Sequence, residues 1–152
     1  MKTLWAAGWG CASIDLPSHG KQIMPGEPSG IAGWRYRLDR GINFTAQNNV
    51  RVKDVVDTLV SQGKVDPTRV VPSGISRGGY MTAHYAASDP RVKTVSMLAP
   101  VTNLSLLSEF QGVNETLQHN TLRPLDVANF AGEFAVRVNT WLIIGDQDTR
   151  VF

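Results

Sequence analysis

Arg69-Val70-Val71-Pro72-Ser73-Gly74-Ile75-Ser76-Arg77-Gly78-Gly79-Tyr80 is the stretch that decides how this chain folds. Arg69 to Pro72 reads as a short strand, and Tyr80 to Ala87 as a helix that Asp89-Pro90 closes. Between them Gly74-Ile75-Ser76-Arg77-Gly78 has the pattern G-x-S-x-G, with a third glycine at Gly79. A strand that turns straight into a helix leaves its central residue in a strained backbone conformation. Side chains at the flanking positions would collide with neighbouring backbone, so those positions are predicted to need glycine. Such a turn would hold the Ser76 hydroxyl above the sheet, at a helix N-terminus where the dipole and free N–H groups favour negative charge. Ser76 is therefore a candidate nucleophile, and the backbone N–H of Arg77 a candidate oxyanion donor. The competing reading is an ordinary Gly-rich loop around a buried serine.

Outward from the turn, strands and helices alternate. On the N-terminal side, Val52, Val55, Val56, Leu59 and Val60 have the spacing of one buried helical stripe; Gly63 ends that helix and Asp66-Pro67 makes a turn. Lys21 to Gly41 reads as a long surface excursion, with Trp34 and Tyr36 as isolated aromatics. Cys11 to Leu16 reads as a short strand, ended by Pro17-Ser18-His19-Gly20. Met1 to Cys11 superficially resembles a short signal peptide, but one lysine and two glycines suit a helix end and its stop better. On the C-terminal side, Val92 to Ala99 is predicted as a strand too apolar to have a solvated face. Val101 to Ala131 is mixed, with at least one helical stretch; Phe134 to Arg137 finishes a helix; Trp141 to Ile144 reads as a continuous, buried apolar strand. The fold class expected is α/β, with a mostly parallel sheet and helices on both faces.

The 152 residues are 42% apolar and 18% charged, which suits one globular domain and excludes wholesale disorder. No apolar run is long enough for a transmembrane helix. Fifteen basic and 13 acidic side chains are scattered along the chain, so neither nucleic acid nor a membrane is expected as a partner. A single cysteine, Cys11, excludes an internal disulfide and a Cys-cluster zinc site.

A serine nucleophile needs a base and a carboxylate to orient it. Gly145-Asp146-Gln147-Asp148 leaves the carboxyl end of the last predicted strand, where sites gather in α/β sheets, and either Asp146 or Asp148 fits by pattern. None of the three histidines fits. His84 lies eight residues beyond Ser76 on the same helix, about 12 Å along its axis. His19 sits in a turn, and His119 in the irregular region near Asn120.

Together these residues resemble the α/β-hydrolase superfamily, and within it the prolyl-oligopeptidase and dienelactone-hydrolase-like esterases. The resemblance is carried by Ala12 to Gly20, Gly63 to Arg69, Ser73 to Tyr80, Ser88 to Val101 and Ile144 to Val151. It implies Ser76 as nucleophile, Arg77 as oxyanion donor and Gly74, Gly78 and Gly79 as the glycines of a nucleophile elbow. The Gly-x-x-Asp-x-x-Val loop of such proteins lines up on Gly145, Asp148 and Val151, which favours Asp148 over Asp146 as the triad acid. It also implies a partial fold, with early strands and the first oxyanion loop expected before Met1 and the last strand, helix and catalytic histidine after Phe152. The segment 101–131 falls where such proteins insert cap elements. Leu104, Leu106, Leu107 and Phe110 are candidates for an acyl pocket there, or for plain core packing. The expected function is a serine hydrolase acting on a small ester or a peptide, with no metal and no organic cofactor implied. The 152-residue chain alone is expected to be inactive. A non-catalytic binding or scaffold protein on the same fold, or an inactive remnant, are the alternatives.

Overall fold

Along Thr94–Leu98, Val95 and Met97 are buried while Thr94, Ser96 and Leu98 are half-buried, the period-two alternation of a strand. This strand, β2, is the centre of the sheet in the computed structural model, which describes residues 2–145. β1 (Ser73–Ile75) pairs with one side of it and β3 (Asn139–Ile143) with the other, both parallel. The register sets Gly74 opposite Met97, and Leu98 opposite Ile143. Parallel neighbours need crossovers, and between β1 and β2 it is the helix α4 (Arg77–Ser88), buried from Gly79 to Ala86. The chain is thus an α/β protein, with a three-stranded parallel sheet among the described residues.

The remaining helices are α1 (Lys2–Ala6), α2 (Ile31–Leu38), α3 (Phe44–Ser61), the short α5 (Glu115–Leu117) and α6 (Arg123–Leu125), and α7 (Val127–Ala135). α3 starts where the Asn43 side chain accepts a hydrogen bond from the Ala46 N–H at 2.9 Å. Its fully buried residues are Phe44, Thr45 and Asn48 in the first two turns; Val52, Val55, Val56, Leu59 and Val60, expected as a buried stripe, are half-buried. The Lys21 to Gly41 excursion differs more. It contains α2, and Trp34 at its middle is wholly buried, stacked on Phe44 (4.8 Å between centroids) and tilted against Tyr80 (5.2 Å), with its indole N–H donating to the Pro17 carbonyl. Gly33 is no breaker here: a Cβ on it would lie 2.3 Å from the Pro28 oxygen, so the glycine lets α2 pack against that loop.

Beneath α2 lies a buried ion pair. Arg37 Nε donates to Glu27 Oε1 at 2.5 Å and Nη2 to Oε2 at 3.0 Å, with both side chains almost wholly out of solvent. The Ser18 hydroxyl and the Met24 N–H complete the carboxylate's shell, at 2.7 Å each. Burial alone would raise the Glu27 carboxyl, but these donors outweigh it and hold its pKa at about 2.

Other departures have local causes. Cys11 to Leu16 forms no strand: residues 11–13 are exposed, and at Asp15 the carbonyl accepts from Arg51 and the carboxylate from the Lys21 N–H in place of a ladder. The strand expected at Arg69 to Pro72 begins instead at Ser73, past the proline, although Pro72 still accepts from the Ser96 N–H. Helices on both faces of the sheet were expected; among the described residues α4 is the helix with extensive sheet contact. β3 is exposed throughout rather than buried, with Trp141 69% and Ile143 53% accessible. In the segment 101–131, Leu104, Leu107 and Phe110 join the core while Leu106 points to solvent.

Candidate active site

The turn between β1 and α4 places Ser76 at the carboxyl edge of the sheet. Ser76 has φ 53° and ψ −114°, a region that non-glycine residues seldom occupy. Three backbone bonds hold it there: its N–H donates to the Leu98 carbonyl at 2.9 Å, and its own carbonyl accepts from Tyr80 at 3.1 Å and from Val101 at 3.2 Å. The strained residue is therefore tied at once to its own helix, to the end of β2 and to the segment beyond it. Its side chain makes no capping bond to α4 and is exposed, unlike the buried serine of an ordinary loop. As the first residue of α4, Arg77 has an N–H with no acceptor inside the helix.

The glycines around the turn do different work. A Cβ on Gly74 would lie 2.2 Å from the carbonyl carbon and oxygen of Gly78 and 2.6 Å from the Gly79 nitrogen. One on Gly79 would lie 2.7 Å from the Pro100 side chain, so Gly74 admits β1, and Gly79 the segment after β2, to close contact with α4. Gly78 has nothing within 4 Å, and the steric reason expected for it does not apply.

Ser76 and Arg77 line a cleft of about 300 Å³ with Gly30, Ile31, Val101, Leu107 and Glu109. A second hollow, about 210 Å³ between 38–43 and 120–125, contains none of the candidate catalytic residues. The G-x-S-x-G pattern points only to the backbone of Arg77; that Arg77 and Glu109 together line the cleft is seen only in the fold. The one available signal was a charged residue in an otherwise apolar and glycine turn.

The histidines lie elsewhere. His84 is 8% exposed, packed between Tyr80 and Phe130 at 4.5 and 4.8 Å, and its Nε2 is 2.9 Å from the Leu125 carbonyl. Tyr80 donates to the same oxygen. Burial lowers the His84 pKa to about 4 despite that bond. A histidine whose folded pKa lies below its unfolded value of about 6.5 leaves more protons on the unfolded chain between those two values. Stability is therefore expected to fall by about 3 kcal/mol from this group as pH drops from about 6.5 to 4. Asp126, whose charge acts on Tyr80, works oppositely, since burial raises its carboxyl. Urea unfolding of the protein and of His84→Gln across this range checks it: the variant should lose most of the slope. His19 and His119 are exposed, and neither lines the cleft.

Asp146 and Asp148 lie outside the described residues. The strand that precedes them ends level with the serine turn, since the Ala99 N–H just past β2 donates to the Ile143 carbonyl at 2.6 Å.

A parallel α/β sheet with a strained, exposed serine where a strand turns into a helix places the protein in the α/β-hydrolase class. The model of the prolyl oligopeptidase family matches residues 39–152, well over half of the chain, and the chain belongs to that family. Membership implies serine-hydrolase chemistry. Neither the comparison with curated proteins nor that with solved structures returned a match.

Proposed function

We propose that Ser76 is the nucleophile of a hydrolase that acts on carboxylic esters, with peptide bonds as the second substrate class. The observation that supports this best is the positive φ of Ser76, held by bonds to Leu98, Tyr80 and Val101. Strain so fixed exposes the hydroxyl and leaves the Arg77 N–H beside it. Ser76 Oγ attacks the carbonyl carbon while a histidine base takes its proton, and the Arg77 N–H donates to the oxyanion of the tetrahedral intermediate. The bond to the leaving oxygen then breaks, the base returns the proton to the departing alcohol, and an acyl-serine remains. Water, deprotonated by the same base, releases the carboxylic acid and restores Ser76. Asp148, three residues past Gly145, orients the base. His19, His84 and His119 do not supply it, because none reaches the cleft. The base comes from outside these 152 residues, and the chain alone is expected to be inactive.

In the protein's native form, Ser76→Ala is expected to lower kcat/KM for short aryl esters by at least about 10³-fold. The 152-residue chain alone should show no Ser76-dependent turnover of p-nitrophenyl acetate. Equal hydrolysis by the native protein and the alanine variant would overturn the enzyme reading and favour a non-catalytic scaffold. That second reading draws on the same absence of a histidine from the cleft.

A further inference from the structure

The Arg77 guanidinium is the feature of the cleft that hydrolysis of a neutral ester does not use. Its Nη1 is buried and has no hydrogen-bond partner among the described residues. It lies against the N-terminal end of α2, where a Cβ on Gly30 would sit 3.1 Å from Nη1. Gly30 thus leaves the space that the guanidinium occupies, and both residues line the cleft that contains Ser76. Arg77 as a whole is half-buried, but a donor shut away from water without a partner is costly to keep unless a ligand completes it. We infer that the Arg77 side chain is a specificity residue that pairs with a carboxylate on the acyl part of the substrate, so that the preferred esters are half-esters of dicarboxylic acids. The inference rests on the hydrolase reading of Ser76.

The backbone and side chain of one residue then serve two ends of one acyl group. The Arg77 N–H faces the scissile carbonyl, and the guanidinium, several bonds away, faces the acid at the far end of the acyl chain. A succinyl or glutaryl length suits that separation, and Ile31, Val101 and Leu107 supply apolar wall for the methylenes between. A guanidinium binds a planar carboxylate through paired N–H donors. Glu109 lines the same cleft and accepts from the Ser108 hydroxyl at 2.9 Å. Its charge argues for a monoanionic carboxylate over a dianionic phosphate, which would need more positive charge than a cleft shared with a glutamate offers.

The test pairs binding with turnover in the native protein. In Ser76→Ala, isothermal titration should show monoethyl succinate binding at least tenfold more tightly than ethyl butyrate. Arg77→Gln should erase the difference, Arg77→Lys should keep part of it, and Glu109→Gln should enlarge it. With Ser76 intact, kcat/KM should favour the half-ester by a similar factor. Circular dichroism of each variant establishes that it is folded, and Arg77→Lys serves if Arg77→Gln is not. Equal binding of the two esters, or a preference that survives Arg77→Gln, would overturn the inference whatever the turnover. Selective binding without Ser76-dependent turnover would overturn the hydrolase reading, and with it Arg77 as a substrate-specificity residue.

Discussion

Gly74→Ala should destabilise the protein by at least about 3 kcal/mol, while Gly78→Ala, four residues along, should be neutral or mildly stabilising. At Gly74 the added methyl would meet backbone atoms of Gly78 and Gly79 at 2.2 to 2.6 Å. Backbone cannot rotate aside as a side chain can, so β1 and the first turn of α4 must separate, which puts the change at the upper end of overpacking costs. The same separation would loosen the bonds that hold Ser76 at positive φ, so reactivity should fall with stability. At Gly78 the methyl enters open space, and alanine exceeds glycine in helix propensity by about 1 kcal/mol. Urea denaturation of the two variants beside the parent measures the contrast. Equal destabilisation by both would contradict the packing described for this turn.

The second large effect is expected far from the serine. Arg37→Ala should cost about 3 to 5 kcal/mol, because it leaves the Glu27 carboxylate buried without its cation. Replacing both partners with apolar residues of similar volume, as in Glu27→Leu with Arg37→Met, should cost less than Arg37→Ala alone. A double-mutant cycle by chemical denaturation reads this directly. The sign with pH is fixed as well. Glu27 has a folded pKa of about 2 against an ordinary value of 4.5, so its contribution is complete above about pH 4.5 and is lost as pH falls toward 2. Arg37→Ala should therefore flatten acid denaturation in that window. An apolar double variant as stable as the parent would show that the pair only balances its own desolvation, whereas Arg37→Ala as stable as the parent would contradict the dependence of Glu27 on its cation.

What the sequence disclosed and what it hid follow from the range of the forces involved. The strand-turn-helix around Ser76 was legible because its constraint is local: glycines, a strained residue and a helix start lie within six positions. β2 was legible from a short apolar run and α3 from helical periodicity, both of them local signals. Trp34 was not, because its burial depends on Phe44 and Tyr80, which approach it only in the folded chain. The apolar run Trp141 to Ile144 gave the strand correctly and its environment wrongly, since a continuous apolar strand predicts burial on both faces and β3 is exposed. The buried pair of Glu27 and Arg37, ten positions apart in an irregular stretch, has no periodic signature at all. At the candidate site, the G-x-S-x-G turn singled out Ser76 and the Arg77 N–H; the Arg77 guanidinium became visible only from its position against Gly30.

The central claim is that the strain at Ser76 serves a nucleophile. A fluorophosphonate reacts with an activated serine and leaves a stable phosphonyl adduct that intact mass and peptide sequencing locate. The native protein, treated with such a probe, should carry one adduct, on the peptide containing Gly74 to Gly79 and at Ser76 itself, and Ser76→Ala should carry none. A folded native protein that gains no adduct, or gains it on another residue, would contradict the account.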